Sequence, residues 1–95
     1  MVSEFPVPPV IGALPGRFRG IIVELLGDRA PDLLAALRTQ AKPTLAQQEA
    51  VLGVLVDAFV DHLGPWDEPT PRGVLIDDAF GAFLERWPAE DLTER

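Results

Sequence analysis

The side chains in this sequence with chemistry to offer are carboxylates and one histidine. Asp57, Asp61 and His62 lie close together, and Asp77-Asp78 form a second acidic pair. Converged by a fold, such groups could act as general acid, general base or metal ligand. Their spacing argues against convergence. Asp61 and His62 are neighbours, so on a helix their side chains point about 100° apart. The positions three and four residues from His62 are Ala58, Phe59, Pro65 and Trp66, none of them a carboxylate or histidine. The Glu-x-x-His pair of di-iron bundles, the HExxH zinc motif and the EF-hand loop are all missing.

Nucleophilic chemistry has even less to work with. Ser3 is the only serine, cysteine and tyrosine are absent, and one histidine must serve any triad. Gly12, Gly16 and Gly20 lack the Lys-Ser/Thr that completes a phosphate-cradling loop. The expectation is a non-enzymatic protein with no catalytic residues, no metal and no cofactor. An enzyme or metal-binding protein built on Asp57, Asp61, His62, Asp77 and Asp78 is a third reading.

Binding is better supplied. Glu49, Gly53, Asp57 and Asp61 stand four residues apart, and Asp77, Gly81 and Glu85 repeat the spacing. On helices these form slowly drifting stripes. A glycine inside a helix costs about 1 kcal/mol relative to alanine, and both glycines fall within acidic stripes. A solvated acidic face explains the charges alone. A cationic partner, its backbone or an arginine approaching over Gly53 or Gly81, explains the glycines as well. Trp66, in the acidic connection GPWDEPTP, either closes the core or anchors a partner. The candidate partner-binding residues are therefore Glu49, Gly53, Asp57, Asp61, Trp66, Asp77, Gly81 and Glu85.

Charge is unevenly distributed. The chain of 95 residues has 15 acids, 8 bases and a net charge of −7. Residues 1–43 carry five bases and four acids, whereas residues 44–95 carry three bases and eleven acids. Arg17, Arg19, Arg29 and Arg38 can fold back on the second half, but they are too few to neutralise it. The remaining acidic surface suits a basic protein partner and disfavours nucleic acid and anionic membranes. No apolar run approaches the roughly 20 residues of a membrane span. The N-terminus lacks the pattern of a signal peptide, so the expected location is cytoplasmic. Seven arginines against one lysine, with abundant Ala, Gly and Pro, point to a GC-rich bacterial genome.

The elements that would position these residues are helices. Residues 1–16 hold four of the ten prolines and read as an extended arm, with residues 17–95 as one helical domain. Ile21-Ile22-Val23 is β-branched, but Phe18, Ile21, Ile22 and Leu25 follow helical spacing. A short helix ending at Gly27 is favoured over a strand. A second helix starts near Pro31 and runs to about Gln40. Thr44 with Gln47 forms a capping box for a third, which runs to Leu63 before Gly64-Pro65. Thr70 caps a fourth with Pro71 at its first position, ending at Trp87, and residues 88–95 add one turn.

The third helix is apolar around most of its circumference, through Val51, Leu52, Val54, Leu55, Val56, Phe59, Val60 and Leu63. It is either the central helix or buried on a second side by another subunit. The resulting expectation is an all-α fold, a small bundle of three to four helices with an extended Pro-rich N-terminal arm. The expected function is an acidic protein-interaction module, a small regulator or inhibitor of antitoxin-like or immunity-like kind. The alternative is a structural or accessory subunit that self-assembles through its apolar helices, and a homodimer or larger assembly is expected.

Overall fold

The computed structural model describes residues 9–62 and 70–92. Among these, five helices and no strand follow one another: α1 (Gly16–Arg29), α2 (Pro31–Leu37), α3 (Leu45–Asp61), α4 (Pro71–Arg86) and α5 (Ala89–Leu92). The all-helical reading holds. The β-branched run Ile21-Ile22-Val23 does not override it, because Phe18, Ile21, Ile22 and Leu25 all turn into the core from one face of α1.

Two threonines set the starts of the longer helices. Thr44 Oγ1 accepts from the Gln47 backbone N–H at 3.1 Å, and Gln47 Oε1 accepts from the Thr44 N–H at 2.9 Å. This is the reciprocal capping box read from the sequence. Thr70 Oγ1 accepts from the Gly73 N–H at 3.1 Å, with Pro71 in the first turn of α4. Replacing Thr44 with alanine removes one such acceptor and should cost about 1 kcal/mol. Urea denaturation followed by circular dichroism checks this; an unchanged midpoint places the start of α3 elsewhere.

Helix ends depart further from the sequence expectation. Gly27 does not stop α1; it is an exposed residue within it, and the helix continues to Arg29. The stop is set by Pro31, which forces the preceding residue out of the helical region. Ala30 accordingly has φ −150° and ψ 65°, while its N–H still donates to the Leu26 carbonyl. α2 ends at Leu37, short of the expected Gln40, in a turn closed by Thr39 and Gln40 N–H groups on the Ala36 carbonyl. Gln40 leaves the helix to pair its side-chain amide with that of Gln47 at 2.7 and 3.1 Å. The expected end of α3 at Leu63, with its Gly64-Pro65 stop, lies outside the described residues.

The N-terminal arm also needs correction where it is described. Residues 10–13 form a turn rather than an extended segment, with the Ala13 N–H on the Pro9 carbonyl. The N–H groups of Val10 and Ile11 donate to the carbonyls of Gln40 and Leu37. Their side chains and that of Leu14 are buried. Proline cannot donate, but Pro9 can accept, and the apolar residues after it gain more by docking than by solvation. Arg19 holds the turn to α1 by donating to the carbonyls of Leu14 and Gly12 at 2.9 and 3.3 Å.

The core lies where α4 packs on both α3 and α1. α3 contributes Val51, Leu55 and Ala58, and α4 contributes Ile76, Ala79 and Phe83. Gln48 is the single buried polar side chain among the described residues. Its Nε2 donates to the Trp87 carbonyl at 3.1 Å and ties the start of α3 to the end of α4. At the opposite end, the Thr70 N–H donates to the His62 carbonyl at 3.0 Å. The two helices are therefore antiparallel, pinned by one hydrogen bond at each end.

Candidate functional site

An α-helix turns about 100° per residue, so the apolar residues of α3 cannot all face one core. Val51, Leu55 and Ala58 point inward, whereas Val56 and Val60 are 46% and 58% exposed. On α4, Val74 and Leu84 are 46% and 38% exposed. These four are the exposed large hydrophobic residues among those described, and all lie on α3 and α4. Between the two helices is a groove of about 100 Å³ lined by Leu55, Val56, Phe59, Ile76, Asp77 and Phe80, so that Val56 is the one of the four that borders it.

Exposed residues on α3 and α4 follow helical spacing. Glu49, Gly53, Val56 and Val60 lie at steps of four, three and four along α3; Val74, Asp77, Gly81 and Leu84 lie at steps of three, four and three along α4. Counted from the Gln48–Trp87 bond, Gly53 stands within about one residue of the level of Gly81. Among the described residues, a Cβ added at either glycine would meet nothing within 4 Å. No neighbour among them requires glycine at these two positions.

The acidic stripes divide between two surroundings. Steps of four residues drift by about 40° each, so a stripe that begins on one side of a helix leaves it within three steps. Glu49 and Gly53 are exposed and are not among the residues that line the groove. Asp61 has rotated to the α1 side, where Arg29 Nη2 donates to it at 3.0 Å. Asp57, between them, is exposed. On α4, Asp77 lines the groove, whereas Gly81 and Glu85 are exposed and do not line it. Trp66 lies outside the described residues. Val56, exposed and lining the groove, is a residue that sequence reasoning does not place among the candidate binding residues; its only signal is its place in the apolar wrap of α3.

The bases of the first half reach the second only in part. Arg29 does so through Asp61; Arg19 is spent on backbone carbonyls, and Arg17 stacks 4.5 Å from the centre of its neighbour Phe18. In the other direction, Arg72 of α4 pairs with Glu24 of α1. Both ion pairs are substantially exposed, so each contributes at most about 1 kcal/mol. Arg86 lies 4.0 Å over the Trp87 ring. α3 itself contains no base.

His62 closes α3: its N–H donates to the Phe59 carbonyl at 3.0 Å, and its carbonyl receives Thr70. Among the described residues, no group of three His, Asp or Glu side chains is placed to hold a metal ion. No helix among them is long and apolar enough to cross a membrane. Comparison with known protein families, curated proteins and solved structures found no match.

Proposed function

We propose that this chain is a non-enzymatic interaction module that binds a basic partner protein through the outer seam of α3 and α4. As a small acidic regulator or inhibitor, antitoxin-like or immunity-like, it would act by occupying its partner. The observation that supports this is the apolar groove between α3 and α4, lined in part by Asp77 and the exposed Val56, on the two helices that carry all four exposed large hydrophobic residues. Exposed apolar surface rimmed by charge is characteristic of protein-binding faces. The net charge of −7 favours a cationic partner and speeds its encounter.

Affinity purification of the tagged chain from its native cells, with mass spectrometry of what accompanies it, tests the proposal. The expected result is one stoichiometric partner of high isoelectric point, released as salt is raised. A second reading, a self-assembling accessory subunit, is favoured by the same exposed valines. Sedimentation equilibrium of the isolated chain separates the two. A dimer that persists on dilution, with no accompanying protein, supports self-assembly and counts against the module.

A further inference from the structure

We draw no further inference here: the strongest candidate, the exposed apolar and acidic face of α3 and α4 beside the groove that Val56 and Asp77 line, carries nothing beyond the interaction already proposed, because nothing in the structure shows what covers it.

Discussion

Phe83→Ala should lose about 3–5 kcal/mol of stability, the usual range for removing a fully buried aromatic ring. Phe83 is completely buried at the centre of the inward face of α4, the helix that packs against both α3 and α1. Truncation would leave a hole that three helices cannot close together, because each is held by other contacts. A domain of this size has a total stability of about 5–15 kcal/mol, so the variant should be partly unfolded at modest temperatures. At roughly 4–8 °C per kcal/mol, its midpoint should fall by at least about 12 °C. Val60→Ala, at a position 58% exposed, is the control and should change stability by less than about 0.5 kcal/mol. Thermal melts of both read the difference. A loss below about 1 kcal/mol for Phe83→Ala would mean that α4 does not occupy the centre of the core.

The contrast between Phe83 and Val60 also marks what can be read from the sequence. Local chemistry is legible. Thr44 and Thr70 announce helix starts because a cap involves only the next three residues. Gly27 misleads because a glycine's tolerance of a helix end is permissive, whereas Pro31 imposes one by steric exclusion at Ala30. The apolar wrap of α3 shows that one core could not take every residue, but not which of them are left outside. That depends on where α4 lies. The groove is likewise a product of two helices in a specific register. Gly53 and Gly81 are noticeable singly as costly residues in acidic stripes; their nearly level placement follows from the hydrogen bond of Gln48 to Trp87, 39 residues away in sequence.

Gln48 carries one end of that register, and its replacement should show how much. Gln48→Ala should cost about 2–4 kcal/mol: it leaves the Trp87 carbonyl without its donor and opens a cavity beneath the first turn of α3. Gln48→Met keeps most of the volume and removes only the amide, so it should cost about 1–3 kcal/mol, the penalty of an unpaired buried acceptor. Gln48→Glu makes the cause explicit through pH. An ionised carboxylate at this 1% exposed position would face a carbonyl oxygen and could donate nothing, so folding should raise its pKa above the unfolded value near 4.3. A protonated carboxyl could donate to the Trp87 carbonyl as the amide does. The variant should therefore approach the parent's stability below about pH 4 and fall behind it as pH rises through the raised folded-state value. Urea midpoints of parent and variant at about pH 4 and pH 7 would reveal this. A difference between the two proteins that does not change with pH would mean that the residue at position 48 is not buried against that carbonyl. The α3–α4 register, and with it the nearly level placement of the two glycines, would then lose one of its two supports.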